Sequence, residues 1–228
     1  MTDLERIRTI PVLLEQPFLE PGDRLVCFGD SLTARENGYF LYLRNALEMR
    51  GIELINAGVS GDKTPTALLR MERDVLAHKP SAVSLFFGTN DAVHGHGRWS
   101  QEPRIAWQTL RDNLKWMVHI CRLNGIAKLS INALPGENEG SPLAEYGPRL
   151  PHITATRLAA EETGALLVPL DYLFREGAKL HESERSADGL FYTCDGMHHT
   201  PETAQLIARA MLHCWNMNPP IRQTGSSS

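Results

Sequence analysis

A serine that directly follows a short apolar run is the first residue of this sequence that could do chemistry. Residues 25–28 are Leu, Val, Cys and Phe, a β-favouring run too short for a helix, and a Gly-Asp-Ser sequence follows at residues 29–31. This pattern predicts a strand-to-helix turn. The turn would present the Ser31 hydroxyl at the carboxyl end of a sheet, beside backbone N–H groups that favour negative charge. Asp-Ser pairs also cap ordinary helices, so the turn alone leaves a structural role open.

Strands and helices alternate along the rest of the chain. Apolar β-favouring runs predict further strands at residues 52–55, 82–87, 128–131 and 165–169. Apolar residues at helical spacing predict helices at residues 39–50, 65–76, 105–123, 151–163 and 201–215. The alternation predicts a three-layer α/β/α sandwich with a five-stranded parallel sheet and right-handed crossovers.

The segments between and outside these elements carry little regular pattern. Three prolines before residue 24 predict a loose lead-in with one helical turn near residues 3–8. Long connections are expected at residues 133–148, a stretch that is either mobile or functional, and from residue 171 to residue 195. One domain is expected over residues 1–223, because residues 224–228 resemble a linker or tag remnant.

The bulk composition narrows the class of protein. The chain has 228 residues, 42% of them hydrophobic, and a net charge of −4, which argues against a nucleic acid or an anionic membrane surface as partner. Its four cysteines are scattered without zinc-ligand spacing and are expected to be reduced. No signal peptide or membrane-spanning stretch is recognisable, so a cytoplasmic location is expected.

Four short polar blocks fall at predicted strand ends or just before the last helix. They are Gly-Asp-Ser-Leu at residues 29–32, Asn-Ala-Gly-Val-Ser-Gly-Asp at residues 56–62, Gly-Thr-Asn-Asp at residues 88–91, and Asp195 with His198. In a parallel sheet these positions share one rim, where ligands bind. The four blocks, in this order over residues 24–205, resemble those of the SGNH hydrolases, also called the GDSL esterase and lipase family. The resemblance implies a flavodoxin-like fold and ester hydrolysis.

The resemblance also implies a role for each block. Ser31 would be the nucleophile, His198 the base that takes its proton, and Asp195 the carboxylate that orients the His198 ring. The oxyanion hole would consist of the backbone N–H groups of Ser31 and Gly61 and the side-chain amide of Asn90. No cofactor or metal is needed for this chemistry.

Two of these roles, the glycine of the oxyanion hole and the base, have a second candidate residue nearby. Gly58 competes with Gly61, which the Ser-Gly-Asp match favours, and His199 stands where the family usually has proline. The spacing of three residues from Asp195 favours His198 over His199 as the base.

Other residues of the blocks are expected to support the site without reacting. Asp30 and Asp91 are expected to hydrogen-bond the loops that hold the donors. His94 and His96 have a metal-like spacing, but no carboxylate at ligand spacing accompanies them, so they are expected to line the cleft. Cys194 is expected to be a packing residue rather than a second nucleophile.

The expected function is that of a serine esterase acting on carboxylic esters, with short acyl or acetyl groups favoured, through an acyl-enzyme on Ser31. Its partner would be a small-molecule ester, with an acetylated carbohydrate as one candidate, and a homo-oligomer is compatible with the sequence. A thioesterase or lysophospholipase of the same family is the alternative. A metal-dependent phosphoesterase lacks the required upstream Asp-x-His, and a non-catalytic carbohydrate-binding relative is disfavoured because every catalytic position is filled.

Overall fold

A parallel five-stranded sheet carries the polar blocks of the sequence at one edge. The computed structural model describes residues 2–93, 103–135, 150–187 and 189–217. The strands are β1 (Arg24–Gly29), β2 (Glu53–Gly58), β3 (Ala82–Phe86), β4 (Lys128–Asn132) and β5 (Leu166–Val168). Every pairing is parallel and the spatial order is β2-β1-β3-β4-β5, the flavodoxin-like order that the family resemblance implied.

The helices connect the strands and cover both faces of the sheet. They are α1 (Asp3–Thr9), α2 (Ser31–Ala34), α3 (Tyr39–Glu48), α4 (Thr64–Leu69), α5 (Met71–Asp74), α6 (Thr89–Ala92), α7 (Trp107–Leu123), α8 (Leu150–Thr163), α9 (Leu170–Leu180) and α10 (Pro201–Cys214). Short 3₁₀ turns occupy Leu76–His78 and Glu182–Glu184. None of the helices in the described ranges is long and apolar enough to cross a membrane.

Alternate residues of β1 belong to two different apolar cores. Leu25 and Cys27 pack in the core that α1, α3, α9 and α10 cover. Val26 and Phe28 point to the opposite face, into the core covered by α4, α7 and α8. Because successive side chains of a strand point to opposite faces, a strand buried on both sides is apolar throughout. The predicted three-layer sandwich is therefore confirmed.

The connection expected after residue 171 contains a helix, α9, so this part of the prediction was wrong. Leu170, Leu173 and Phe174 are buried at helical spacing, and Gly177 continues the same face. Glycine is a poor helix former, so local propensity at Gly177 disfavours the helix. Packing of this face against the core overrides that local preference.

The helix expected from residue 65 to residue 76 is broken. α4 ends at Leu69, α5 follows as a separate turn, and the 3₁₀ turn after it ends at Lys79 in a left-handed conformation, with φ of 50°. The break between α4 and α5 falls at Arg70, whose backbone leaves the helical region. Its side chain binds the ends of two strands, as described below.

The lead-in before β1 contains the expected helix, α1, but it is not loose. Ile7, Ile10 and Phe18 are buried in the core that α10 shares. The backbone N–H of Phe18 donates to the carbonyl of Trp215 at 2.8 Å, and the two rings stack with centroids 5.4 Å apart. The predicted looseness was wrong because apolar side chains before and between the prolines anchor the segment.

Candidate active site

Ser31 is the first residue of α2, and only Asp30 separates it from the end of β1. The carboxylate of Asp30 caps the helix by accepting from the backbone N–H of Leu32 at 2.9 Å, as expected for a supporting residue. A side chain at Gly29 would collide with Thr33 and with the carbonyl of Phe86, so only glycine allows the strand to turn here. Ser31 is 5% exposed. The strand end therefore fixes the hydroxyl in a nearly enclosed position.

The structure brings His198 to Ser31 and Asp195 to His198. Nε2 of His198 lies 3.2 Å from Oγ of Ser31, and Nδ1 lies 2.7 Å from Oδ2 of Asp195. The other carboxylate oxygen of Asp195 accepts from the backbone N–H groups of His198 at 2.6 Å and Met197 at 3.0 Å. This series gives the hydroxyl a base and gives the base an orienting carboxylate.

The charge of Asp195 is stabilised at this position. Its partial burial raises the pKa, but the hydrogen bonds from the ring and backbone of His198 and from the backbone of Met197 outweigh burial and lower the pKa below its usual value. An ionised Asp195 favours the tautomer in which Nδ1 of His198 carries the proton. Nε2 is then free to accept the proton of Ser31.

Asp195 and His198 lie on a short closed segment, residues 193–199, which we call the histidine loop. Thr193 and His199 form an antiparallel bridge, and the backbone N–H of Cys194 donates to the carbonyl of His198 at 2.8 Å. The ring of His199 lies over Phe174, with centroids 5.9 Å apart and planes at 14°. Of the two adjacent histidines, His198 is thus the one that reaches Ser31.

Gly61 and Asn90 follow the carboxyl ends of β2 and β3, the two strands that flank β1 in the sheet. Gly61 has a φ of 77°, a left-handed conformation that favours glycine. The side-chain amide of Asn90, which is 1% exposed, donates to the carbonyl of Asp62 at 3.0 Å and thereby links the two strand ends. The second proton of this amide is available to another acceptor.

The backbone N–H groups distinguish Gly61 from its rival Gly58. That of Gly58 donates to the side-chain oxygen of Asn56 at 2.9 Å and is therefore occupied. Those of Ser31 and Gly61 have no acceptor within the described parts of the chain. Two unoccupied backbone donors and an amide can receive an oxyanion.

Asp91 supports the segment that carries Asn90. Its carboxylate accepts from the backbone N–H of Thr64 at 3.2 Å and from the Thr64 hydroxyl at 2.5 Å. Asp91 is fully buried, and this burial raises its pKa to about 6 although the bonds from Thr64 oppose the rise. It ties α6, which carries Asn90, to the start of α4, as expected for a loop-holding residue.

Sequence reasoning missed Arg70, which joins three parts of the site. Its guanidinium donates to the carbonyl of Gly29 at 2.9 Å, to the carbonyl of Ala57 at 2.8 Å, and to Oδ2 of Asp62 at 2.6 Å. The side chain is 10% exposed and lies over the ring of Phe28, 4.3 Å from its centre. Arg70 therefore fixes the strand end before Ser31 relative to the residue after Gly61.

No local pattern marks Arg70, because helical spacing places it opposite the apolar residues Leu68, Met71 and Val75. A buried arginine must be paired with acceptors. Its planar guanidinium can bind several carbonyl and carboxylate oxygens at once, which the backbone ends of parallel strands offer.

The remaining candidates from the sequence are histidines and cysteines, and the structure describes only some of them. His94 and His96 lie outside the described residues. Among those that are described, no three His, Cys, Asp or Glu side chains form a group that could hold a metal ion. Cys194 is exposed, so its expected packing role was wrong, whereas Cys27, Cys121 and Cys214 are free and buried.

Comparison with known proteins identifies the family and fold of this chain. A model described as the GDSL-like Lipase/Acylhydrolase family matches residues 27–206. The uncharacterized lipoprotein YqeF of Bacillus subtilis (strain 168) is 26% identical over 212 residues, 80% of this chain and 85% of that protein. An acetylxylan esterase of Geobacillus stearothermophilus is 27% identical over 183 residues, 69% of this chain and 80% of that enzyme.

Solved structures share the fold over nearly their whole length. Axe2, an acetylxylan esterase from Geobacillus stearothermophilus, superposes with a TM-score of 0.70 at 24% identity, over 88% of this chain and 97% of its own. The acetyl xylan esterase AlAXEase gives 0.70 at 25% identity, over 82% and 97%. LAE5, an alpha/beta hydrolase from the Lake Arreo metagenome, gives 0.71 at 21% identity, over 90% and 100%.

Fold and comparisons define the class as a carboxylic ester hydrolase of the α/β type. Because the family model covers most of the chain, the protein belongs to the GDSL-like lipase/acylhydrolase family, the SGNH hydrolases.

Proposed function

We propose that the protein is a serine esterase that removes short acyl groups, above all acetyl groups, through an acyl-enzyme on Ser31. The observation that carries the proposal is the series of short distances from Ser31 Oγ to His198 Nε2, 3.2 Å, and from His198 Nδ1 to Asp195, 2.7 Å. This is the geometry that activates a serine hydroxyl, which is a weak nucleophile at neutral pH.

In the first step, Ser31 Oγ attacks the carbonyl carbon of the ester while His198 Nε2 takes the hydroxyl proton. The negative charge that develops on the carbonyl oxygen is received by the N–H groups of Ser31, Gly61 and the Asn90 side chain. His198 then gives its proton to the departing alkoxide, which leaves as an alcohol. The acyl group remains on Ser31.

In the second step, water releases the acyl group. His198 Nε2 removes a proton from a water molecule, which attacks the acyl carbon, and the same donors receive the oxyanion again. His198 returns the proton to Ser31 Oγ as the carboxylic acid leaves. Asp195 remains ionised throughout and stabilises the imidazolium that forms in each step.

An acetylated saccharide is the proposed natural substrate class. The support is similarity to two enzymes named as acetylxylan esterases, one by sequence and one by both fold and 25% identity. The cytoplasmic location stays a prediction of the sequence, and one relative is named a lipoprotein. The homo-oligomer also stays a prediction.

The test is a substrate panel on wild type, Ser31→Ala and the control Ser183→Ala, which alters an exposed serine. We expect wild type and the control to hydrolyse p-nitrophenyl acetate, sugar acetates and p-nitrophenyl octanoate in falling order of kcat/KM. Ser31→Ala should retain the fold by circular dichroism and lose all of these activities. A maximum at octanoate would favour the thioesterase or lysophospholipase alternative, and loss of activity with a chelator would favour a metal-dependent reaction.

A further inference from the structure

The histidine loop needs support from outside itself. The side chain of Asp195 is 49% exposed and that of His198 is 26% exposed, so these two side chains have little packing to hold them. The internal hydrogen bonds of the loop fix its shape, but they do not fix its position relative to Ser31. A shift of about 1 Å in a catalytic group can lower the rate about 100-fold. His199 stacks on Phe174, and the contacts at the two ends of the loop also decide where the His198 ring lies.

The residues on either side of the loop are joined and anchored. The backbone N–H of Thr200 donates to the carbonyl of Tyr192 at 3.0 Å, which closes the base of the loop. Thr200 is also the N-cap of α10, since its hydroxyl accepts from the backbone N–H of Thr203 at 3.2 Å. One side of the base is thus attached to α10. The other side depends on Tyr192.

Tyr192 is held by the N-terminal helix. It is 3% exposed, and its hydroxyl donates to Oδ1 of Asp3 at 3.1 Å and accepts from Nη2 of Arg6 at 3.2 Å. Arg6 is fully buried and forms an ion pair with Asp3. Burying a charged pair is costly unless its members are well bonded, so the Tyr192 hydroxyl is part of what satisfies this pair.

α9 is shaped to admit the same hydroxyl. A side chain at Gly177, in the second half of this helix, would collide with the Tyr192 hydroxyl and with Arg6. Glycine inside a helix destabilises the fold by roughly 0.5–1 kcal/mol relative to alanine. The close packing of the Tyr192 hydroxyl against Gly177 offsets this loss of stability. The ring of Phe174 packs edge-on against the Tyr192 ring at 4.9 Å. The hydroxyl therefore lies where α1 and α9 meet.

α1 itself is fixed to the body of the protein. Ile7 and Ile10 are buried in the core that contains α10. Nε2 of His213, in α10, lies 2.8 Å from the carbonyl of Ile10. α1 also lies before residue 27, where the match to the family model begins. This helix is therefore an anchor that belongs to this chain beyond the matched family region.

We propose that Tyr192 is a positioning residue for His198, and that α1 is the part of the protein that holds it, through Asp3 and Arg6. The proposal rests on the proposed function, because it requires that His198 be the base for Ser31. In this role Tyr192 acts through the histidine loop and not on the reacting atoms. It fixes the start of the histidine loop, and thereby the approach of Nε2 to Oγ.

The main variant is Tyr192→Phe, which removes the hydroxyl and leaves the ring packing in place. We expect kcat for p-nitrophenyl acetate to fall about tenfold with KM within about twofold, because the loss affects the reacting geometry and not binding. Tyr42→Phe, the same chemical change on α3, is the control and should keep wild-type kcat. Wild-type kcat in Tyr192→Phe would overturn the proposal.

A second variant, Asp3→Asn, keeps the test decisive if Tyr192→Phe folds poorly. Its amide oxygen can still accept from Tyr192, but it loses the ion pair with Arg6, so we expect a smaller fall in kcat. The double variant Asp3→Asn/Tyr192→Phe should lower kcat less than the product of the two single effects, because both remove one connection. A fall in kcat of the double variant equal to the product of the two single falls would contradict the coupling between Asp3 and Tyr192.

A spectroscopic readout separates positioning from general destabilisation. The proton on Nδ1 of His198, bonded to Asp195, gives an NMR signal that reports how firmly this pair is held. We expect that signal to exchange faster with water in Tyr192→Phe than in wild type or Tyr42→Phe. If Ser31→Ala is inactive while Tyr192→Phe is unchanged in both kcat and this signal, the positioning role fails and the proposed function stands. If Ser31→Ala stays active, the proposed function fails first.

Discussion

The two halves of the candidate active site are built in different ways. Ser31 and Asn90, at the ends of β1 and β3, are 5% and 1% exposed, whereas the side chains of His198 and Asp195 are 26% and 49% exposed. The strand-end half rests on the buried sheet, and the histidine loop lies on the surface after a long connection. The proposed nucleophile and the proposed amide donor are thus enclosed, and the proposed base is more exposed.

The difference extends to what holds each half. The strand ends are tied by buried charges, Arg70 to three backbone and carboxylate groups and Asp91 to Thr64. The histidine loop is tied by its own hydrogen bonds, by the stacking of His199 on Phe174 and by Tyr192. Enclosed donors that need no reorganisation are effective in stabilising an oxyanion. Regions with few buried contacts open more easily, so we expect the loop to be the first part of the site to lose its geometry.

The largest effect should come from removing the base. His198→Ala should lower kcat for p-nitrophenyl acetate by about 10⁴-fold or more, because Ser31 then has no proton acceptor. His199→Ala, the adjacent histidine whose ring packs on Phe174, is the matched control and should lose far less. Equal losses in the two variants would mean that His198 has no special role.

The next effect tests the enclosed half. Asn90→Ala should lower kcat by about 10²–10³-fold with little change in KM, because the amide serves the oxyanion more than the bound ester. Steady-state kinetics on p-nitrophenyl acetate measures kcat and KM separately. A rise in KM at unchanged kcat would instead indicate that Asn90 binds the ground state.

A smaller effect should come from Arg70→Lys. Lysine keeps the charge but cannot bind Gly29, Ala57 and Asp62 together, so we expect kcat to fall about tenfold and the free energy of unfolding to fall by about 2 kcal/mol. Arg73→Lys is the control, because Arg73 is exposed and pairs with Asp74, a partner that it shares with Arg70. Kinetics and urea unfolding of both variants give the comparison. No difference between them would contradict the joining role of Arg70.

The smallest effect concerns pH and stability. The pKa of Asp91 is raised by burial from 3.8 to about 6, so its contribution to stability is fully present below pH 3.8 and is lost as pH rises through 6. The amide that replaces this carboxyl in the Asp91→Asn variant cannot titrate. The unfolding free energy of wild type minus that of the variant should therefore decrease by about 2 kcal/mol between pH 4 and pH 7. A difference that stays constant with pH would contradict the raised pKa.

The sequence predicted the local structure around Ser31 more directly than that of the histidine loop, and the reason is physical. Gly29, Asp30 and Ser31 follow an apolar run, and a strand end is a local feature that neighbouring residues determine. His198 is 167 residues from Ser31 and α9 lies before it. Its role was inferred from the family resemblance, because no local pattern reports a contact across that distance.

What escaped prediction depends on tertiary packing. The segment after residue 171 was expected to be a long connection, but packing against the core makes its first part helical. The three prolines of the lead-in predicted a loose segment, although its apolar residues are buried. Arg70 and Tyr192 act through groups brought together only by the fold. Propensity is a weak guide wherever such long-range contacts decide the structure.

The most direct test of the account is to trap the acyl-enzyme. Wild-type protein mixed rapidly with p-nitrophenyl acetate, quenched in acid and digested should contain one added acetyl group on the peptide that includes Ser31, and the Ser31→Ala protein should contain none. An acetyl group on another residue, or rapid hydrolysis without any acetylated protein at the earliest times, would contradict nucleophilic attack by Ser31.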